Sequence, residues 1–304
     1  MKFNRSKPKM QKYTIKDFQK QFPNDDVCLE WLKDYLYPEG INCETCQKVT
    51  PHYKVASRKS YSCQFCGHHV HPTADTIYHK SSTPLTLWFY AIYLMASTRC
   101  GISAKQLERE LGVTYKTAWR MFKQIRSMLD ESGMKLSGTV EADETYIGGD
   151  LDNMHAKKRI GVLSNVGGHE HKTPVLGMVE RKGRVKTKII KNAQGRHLIP
   201  AIRENVEEGS TLYTDSWRAY NLLQTDYAHD KINHSYEYVR GDIHTNTIEG
   251  FWSLVKGGIK GVYKQVGREY LQSYVNEYSF RYNRRFDTTP MFLSFLKQVE
   301  KVSD

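Results

Sequence analysis

The stretch Gly138-Thr-Val-Glu-Ala-Asp-Glu-Thr-Tyr-Ile-Gly-Gly149 alternates in side-chain character before a Gly-Gly turn, which predicts a β-strand that carries Asp143. Two further strands are predicted at 174–180 and 184–190, and Arg181-Lys-Gly183 between them is typical of a hairpin. Downstream, the pattern predicts a helix over 195–206, a strand over 210–215 ending in Asp215, a helix over 217–223 and a strand near 231–234.

Three strands, a helix, a strand, a helix, a strand and a last helix therefore follow one another in this half of the chain. The order is typical of a ribonuclease-H-like α/β fold, in which helices cover a mixed sheet. The first and fourth strands of such a sheet are neighbours. We therefore expect Asp143 and Asp215 to lie side by side.

The last helix of this series is predicted over His244-Thr-Asn-Thr-Ile-Glu-Gly-Phe-Trp-Ser-Leu-Val-Lys256, with Thr245 or Thr247 as its cap. Glu249 and Lys256 then lie two turns apart on one side of the helix. If Glu249 meets the two aspartates, the three carboxylates can hold two Mg²⁺ or Mn²⁺ ions about 3.5–4 Å apart. Lys256 would neutralise a bound phosphate.

Three other residues compete for roles at this acidic site. Asn246 lies on the same side of the helix as Glu249 and is the alternative third ligand, although a carboxylate binds a hard cation better. Glu141 shares the strand face of Asp143 and is a candidate for a supporting role. Glu144 is the other acidic residue that flanks Asp143.

The charge balance favours a polyanionic partner. Lysine and arginine outnumber aspartate and glutamate by 45 to 33 in 304 residues, a net charge of +12, and nucleic acid fits this better than a membrane. No apolar run is long enough to cross a bilayer and no signal peptide is evident, so we expect a soluble, cytoplasmic protein. Residues 152–170 fit no strand and are interpreted as a loop that orders on DNA. The residues expected to follow the phosphate backbone are Arg184, Lys186, Lys188, Lys256, Arg284 and Arg285.

Two C-x-x-C turns in the N-terminal part predict a zinc ribbon. Their spacing suits one structural Zn²⁺ with four thiolate ligands, which would stabilise a module with little core of its own. The histidines between positions 68 and 71 are rival ligands or surface residues, and Cys28 and Cys100 are expected to be buried thiols. The four predicted zinc ligands are Cys43, Cys46, Cys63 and Cys66.

Helical patterns on either side of the ribbon complete the N-terminal part. One amphipathic helix is predicted over 14–36, before the cysteines. Helices over 85–97, 103–111 and 114–129, with a turn at Gly112, have helix-turn-helix spacing. The predicted domains are thus 1–80 (N-terminal helix and ribbon), 81–133 (helix-turn-helix) and 138–304 (ribonuclease-H-like). The residues expected to face a DNA major groove are Tyr115, Lys116 and Arg120.

Several phrases together resemble bacterial insertion-sequence DDE transposases of the subgroup with an N-terminal zinc ribbon. They are Glu141-Ala-Asp-Glu-Thr-Tyr-Ile-Gly-Gly149, Tyr213-Thr-Asp-Ser-Trp-Arg-Ala-Tyr220, the 244–256 stretch and Phe280-Arg-Tyr-Asn-Arg-Arg285. The resemblance implies a DNA transposase that binds the terminal inverted repeats of its element, cuts the 3′ ends and joins them to target DNA, without a covalent protein–DNA intermediate. Because two ends must be paired, it suggests a homodimer or higher oligomer on double-stranded DNA in the nucleoid.

Two other functions fit parts of the same sequence. In one, the ribbon and the helix-turn-helix bind DNA while the acidic trio is a catalytically inactive relic. In the other, the chain is a stand-alone ribonuclease-H-like nuclease. The arrangement of Asp143, Asp215 and Glu249 bears on the first alternative, and joining of pre-cut ends to a target bears on the second.

Overall fold

The computed structural model describes residues 10–131, 133–149, 155–156, 159–160, 172–237 and 239–301. Its chain forms two compact units, 1–128 with 286–304, and 129–285. The division into domains at 80, 133 and 138 stays a prediction, and most of the loop 152–170 lies outside the described residues. Within the described part of the chain, no helix has the length and apolar character needed to cross a membrane.

Two helices open the first unit where one was predicted over 14–36. They are α1 (Ile15–Gln21) and α2 (Asp25–Leu36). The single-helix prediction is wrong because Pro23 cannot donate a backbone hydrogen bond inside a continuous helix. The next residue, Asn24, caps the second helix by accepting from the backbone N–H of Val27 at 3.0 Å.

Short strands and three helices follow in the first unit. Ser103 and Thr114 cap two of these helices, as predicted, and Gly112 makes the turn between them in the left-handed region at φ +64°. The strands pair as β1-β2 and as β3-β4-β5, all antiparallel. The elements are β1 (Asn42–Cys43), β2 (Lys48–Val49), β3 (His52–Lys54), β4 (Tyr61–Cys63), β5 (His69–Val70), α3 (Leu85–Ser97), α4 (Ala104–Leu111) and α5 (Tyr115–Ser127).

The second unit is built on a five-stranded mixed sheet of order β10-β9-β6-β7-β8. The first strand, β6, lies in the middle, antiparallel to β7 and parallel to β9, so the predicted adjacency of the first and fourth strands is confirmed. The fold class, a ribonuclease-H-like mixed sheet preceded by a small zinc ribbon, is also confirmed. The strands are β6 (Thr139–Ile147), β7 (Thr173–Glu180), β8 (Val185–Ile189), β9 (Thr211–Asp215) and β10 (Ala228–Ile232).

Helices cover both faces of this sheet. On one face, α6 (Gly195–Asn205) and the 3₁₀ helix Arg218–Thr225, where a helix was predicted over 217–223, pack on Val140, Ala142 and Met178. On the other, α7 (Asn246–Gly258) and α8 (Arg268–Asn283) pack on residues that include Val175 and Val179. We call the latter the α7 face. A last helix, α9 (Met291–Leu296), belongs to the first unit.

Candidate active site

The register of two parallel strands relates Asp143 to Asp215. Strands β6 and β9 pair as Thr139 with Thr211 and onward to Glu141 with Tyr213, where the ladder ends. Continued at the same offset, Asp143 stands opposite Asp215. Partners in register point to the same face, and paired strands lie about 4.8 Å apart. The two aspartates therefore share a face just beyond the point where the strands stop pairing.

The shared face is the one that α7 covers. On the other side of β6, Asp143 pairs with Gly177 of β7. A Cβ atom at Gly177 would lie 2.4 Å from the Trp252 ring and 2.8 Å from Cδ1 of Ile248, so α7 rests directly on this glycine. Because cross-strand partners point to the same side, Asp143 faces α7. Glu249, in the first turn of α7, follows Ile248.

Mutual repulsion of carboxylates marks this region as suited to a cation. Burial raises the pKa of Asp143 to about 7, and the negative charges of Glu144, Asp215 and Glu249 contribute in that order. Burial also raises the pKa of Asp215, against the backbone N–H of Trp217 and the charge of His234, which lower it. These charge interactions agree with the sheet register, which places Asp143 and Asp215 on one face, and with the position of Glu249 in the first turn of α7.

In the described chain only the four cysteines bring three or more ligand atoms within 4.8 Å of one another, so the oxygens of Asp143, Asp215 and Glu249 do not all lie that close together. Two divalent cations about 3.5–4 Å apart are the metal centre that such a set of carboxylates could hold. Oxygen ligands of this kind suit Mg²⁺ or Mn²⁺.

A fourth carboxylate, Glu141, fixes the start of α7. Its side chain is fully buried (0% exposed), and Oε2 accepts from the backbone N–H groups of Thr247 at 2.8 Å and Ile248 at 3.1 Å. Oε1 accepts from the Thr247 hydroxyl at 2.8 Å and from Nε of Arg181 at 3.0 Å. A negative charge at a helix N-terminus is stabilising. Glu141 thereby locks the turn that carries Glu249.

The other flanking acid, Glu144, belongs to the opposite face. It accepts a hydrogen bond from the hydroxyl of Tyr220, a buried member of the core under α6. Burial raises the pKa of Glu144. It therefore acts on Asp143 through its charge.

The sequence did not indicate two features of the site: the presence of His234, and the contact between the buried hydroxyl of Thr245 and Glu249. Thr245 is the N-cap residue, as predicted, but its side chain makes no capping hydrogen bond. Instead its hydroxyl donates to Oε1 of Glu249 at 2.8 Å and lies 2.9 Å from Nε2 of His234. The predicted strand near 231–234 ends at Ile232, which pairs with Asp215, so His234 lies just beyond it. Its position at the carboxyl end of the neighbouring strand is the only sequence signal that could have marked it.

Asn246 and Lys256 lie on the same helix as Glu249. Asn246 is the first residue of α7 and is exposed, so it stays an alternative to Glu249 as third ligand. Lys256 is exposed in the last turn, and its ammonium makes no hydrogen bond or ion pair with another described residue. Its ammonium is thus accessible to a phosphate.

The basic residues of β8 point away from the acids. Lys186 and Lys188 pair with Met178 and Leu176, which belong to the core on the opposite face. Lys188 forms an ion pair with Glu204, and the two lysines line a cleft of about 230 Å³. Asp143, Asp215 and Glu249 do not line this cleft. The structure does not bring these lysines to Asp143, and their role in DNA binding stays a prediction.

The other three predicted arginines of this unit also have partners. Arg184 lies 2.8 Å from the Met134 sulfur, and Arg284 forms a 2.6 Å ion pair with Glu131. Arg285 donates to the carbonyl of Gly183 at 3.0 Å. These contacts fix the guanidinium groups within the unit, so DNA contact by these residues also remains a prediction.

The four predicted zinc ligands converge in the first unit. Sγ of Cys43 lies 3.5 Å from that of Cys66, and Sγ of Cys46 lies 3.9 Å from that of Cys63. Tetrahedral Zn²⁺ with bonds of about 2.3 Å needs sulfurs roughly 3.8 Å apart, so the cluster fits a structural zinc ion. The nearby histidines do not join the cluster. Cys28 is buried as predicted, but Cys100 is exposed, so the prediction of a buried thiol there is wrong.

The three residues of α5 that were predicted to face a DNA groove differ in their side-chain contacts. Tyr115 and Lys116 are exposed, and the ammonium of Lys105 lies 4.9 Å from the Tyr115 ring centre. Arg120 donates to the hydroxyl of Ser81 at 2.8 Å. Groove contact by all three stays a prediction, and Arg120 would have to leave Ser81 to make it.

Comparisons with known proteins agree with this arrangement. Residues 135–283 match the family model of the ISXO2-like transposase domain, and residues 23–69 match that of the transposase zinc-ribbon domain. An uncharacterised protein in the transposable element ISH50 of Halobacterium salinarum is 28% identical over 280 residues, 84% of this chain and 90% of the relative. An uncharacterised transposase-like protein of Haemophilus influenzae is 32% identical over 123 residues, 40% of this chain and 98% of the relative. The chain belongs to the ISXO2-like family of DDE transposases that carry an N-terminal zinc ribbon.

Proposed function

We propose that this transposase binds the terminal inverted repeats of its own insertion sequence, cleaves their 3′ ends and joins them to target DNA. Asp143, Asp215 and Glu249 are the metal ligands of the reaction. The observation that carries the proposal is the shared register of Asp143 and Asp215 on the α7 face, beside a helix whose first turn carries Glu249. Family membership implies transposase activity and DNA binding.

The chain's own residues position the reacting groups. Asp143 and Asp215 would hold two Mg²⁺ or Mn²⁺ ions together with Glu249. When bound, these ions activate a water or a 3′-hydroxyl and stabilise charge on the leaving oxygen. Glu141 holds the helix start through two backbone N–H groups. Lys256, on the same helix, offers its exposed ammonium to the scissile phosphate.

End recognition is assigned to the other unit. The four-cysteine ribbon fits a structural zinc ion, and α4 and α5, joined by the turn at Gly112, are the two helices of the predicted helix-turn-helix. In this proposal the first unit reads the sequence of the element's ends, and a homodimer joins both ends to the target. Under this division, loss of a catalytic acid leaves end binding intact.

Cleavage and strand transfer on element-end DNA would test the proposal. Asp143→Asn, Asp215→Asn and Glu249→Gln should each abolish cleavage and joining of pre-cut ends while keeping end binding. Asp130→Asn, an exposed aspartate in the polar cleft beside β8, is the matched control and should behave as wild type.

Each alternative function gives a different result. A wild-type protein that binds ends but neither cleaves nor joins them would be a DNA-binding protein only. Cleavage without joining of pre-cut ends would indicate a nuclease. Activity in any of the three acid variants equal to that of the control would refute the assigned ligand set.

A further inference from the structure

The carboxylate of Glu249 is held although it stands at a solvent-accessible position. Its side chain is 46% exposed. A long side chain in the first turn of a helix ordinarily samples several rotamers, since each χ angle has several staggered wells. Here Oε1 accepts the Thr245 hydroxyl proton at 2.8 Å and lies 3.4 Å from Nε2 of His234. One oxygen is thus fixed from the protein side.

The direction of these hydrogen bonds follows from their chemistry. A threonine hydroxyl has a single proton, and in Thr245 it goes to Glu249. The Thr245 oxygen therefore accepts from Nε2 of His234, 2.9 Å away, so this imidazole nitrogen carries a hydrogen. The result is a directed chain from His234 through Thr245 to Glu249.

Helix capping does not account for the Thr245 hydroxyl. A threonine at the N-cap normally accepts from the backbone N–H of the second or third helical residue. In α7 those donors, on Thr247 and Ile248, are taken by Glu141. Thr245 is 1% exposed, yet its hydroxyl is directed at the outward-facing acid.

We propose that His234 and Thr245 are positioning residues, which fix Oε1 of Glu249 so that Oε2 is presented to a divalent cation. The inference rests on the proposed function, because it assumes that Glu249 is a ligand. Partners of metal-binding side chains typically change metal affinity or activity about 10- to 100-fold when removed. The same factor is expected here.

Direct binding of Mn²⁺ to the zinc-loaded full-length protein tests the inference, with free Mn²⁺ measured by electron paramagnetic resonance. Thr245→Val removes the hydroxyl and should weaken Mn²⁺ binding about 10- to 100-fold, while Thr245→Ser, which keeps the hydroxyl, should stay within about threefold of wild type. The Mn²⁺ concentration needed for half-maximal cleavage should rise in parallel. End binding, which needs no Glu249, should not change.

A second route avoids disturbing a buried residue. His234 has a side chain 31% exposed, so His234→Ala should fold and should also weaken Mn²⁺ binding. The two residues act in one series of hydrogen bonds. The double variant should therefore bind Mn²⁺ no more weakly than the single variant with the lower affinity. If the losses of Mn²⁺ binding free energy in the two single variants add up in the double variant, the two residues do not act in one series of hydrogen bonds.

The outcomes separate the inference from the proposed function. If Glu249→Gln leaves both Mn²⁺ binding and cleavage unchanged, the proposed ligand set fails. If Glu249→Gln abolishes cleavage while Thr245→Val and His234→Ala bind Mn²⁺ as wild type does, only the positioning role is refuted. Equal losses in Thr245→Val and Thr245→Ser would also refute it, because the hydroxyl would then be irrelevant.

Discussion

Glu141→Gln would test whether one buried carboxylate positions the helix that carries Glu249. Each oxygen of Glu141 accepts two hydrogen bonds, Oε2 from two backbone N–H groups of α7, and Oε1 from the Thr247 hydroxyl and Arg181. Glutamine keeps one acceptor oxygen and replaces the other by an NH₂ group, which cannot accept. Whichever oxygen is replaced, two donors lose their partner.

The structure gives the size of the effect. A hydrogen bond to a charged group contributes about 1.5–3 kcal/mol, and removing one partner of a buried ion pair costs about 3–5 kcal/mol. The side chain of Arg181 is 20% exposed, so water offsets part of its loss. We expect the free energy of unfolding to fall by about 3 kcal/mol.

Glu144→Gln is the matched control on the same strand. Its carboxylate accepts from the hydroxyl of Tyr220, and a glutamine carbonyl can still accept that bond. The expected loss is about 1 kcal/mol or less. Urea unfolding measures both variants, and strand-transfer assays measure whether Glu141→Gln also lowers activity through misplacement of Glu249. A Glu141→Gln protein as stable as Glu144→Gln and as active as wild type would refute the role of Glu141.

Three further predictions concern Gly177, Asp143 and Cys43. Gly177→Ala places a methyl group against the ring of Trp252 and should lower the free energy of unfolding by about 1–3 kcal/mol, whereas Gly257→Ala, at an open position of α7, should not lower it; urea titration compares the two. Because the pKa of Asp143 is raised to about 7, the folded protein retains this proton more tightly than the unfolded chain does, and the stability of protein without Mg²⁺ or Mn²⁺ should fall as pH rises from about 4 to 7. Asp143→Asn should remove a loss of the order of 4 kcal/mol at pH 8 and have no such effect near pH 4; equal stabilisation at both pH values would show that the carboxyl charge is not its cause. Cys43→Ser should reduce bound zinc by about one ion per chain, measured by elemental analysis, and weaken end binding; unchanged zinc content would contradict the four-cysteine site.

Features that depend on local pattern were predictable from the sequence. Strand alternation and turn residues gave the strands of the sheet, and the element order gave the pairing of the first and fourth strands. The positions of Asp143 within the first strand and of Asp215 at the end of the fourth followed from the same pattern. The C-x-x-C spacing likewise gave the zinc cluster, because each turn determines the relative position of its own two thiols.

Features that depend on which face a residue occupies were not predictable. Lys186 and Lys188 were expected to follow the phosphate backbone of DNA. Their pairing with Met178 and Leu176, not their own sequence, turns them to the opposite face. A shift of one residue in the register of β7 and β8 would have reversed this, so charge alone could not decide it.

Helix starts show why the remaining site residues were missed. In each unit a carboxylate from a distant element accepts the first N–H groups of a helix: Asp25 accepts from Leu85 and Thr86 at 3.0 and 2.9 Å, and Glu141 does the same for α7. Rules that seek a cap within the helix's own sequence cannot detect either. In α7 this leaves the hydroxyl of the local cap residue, Thr245, to bind Glu249, the proposed third metal ligand. The failure of a local rule thus coincides with the place where the site is assembled, as expected where function overrides propensity.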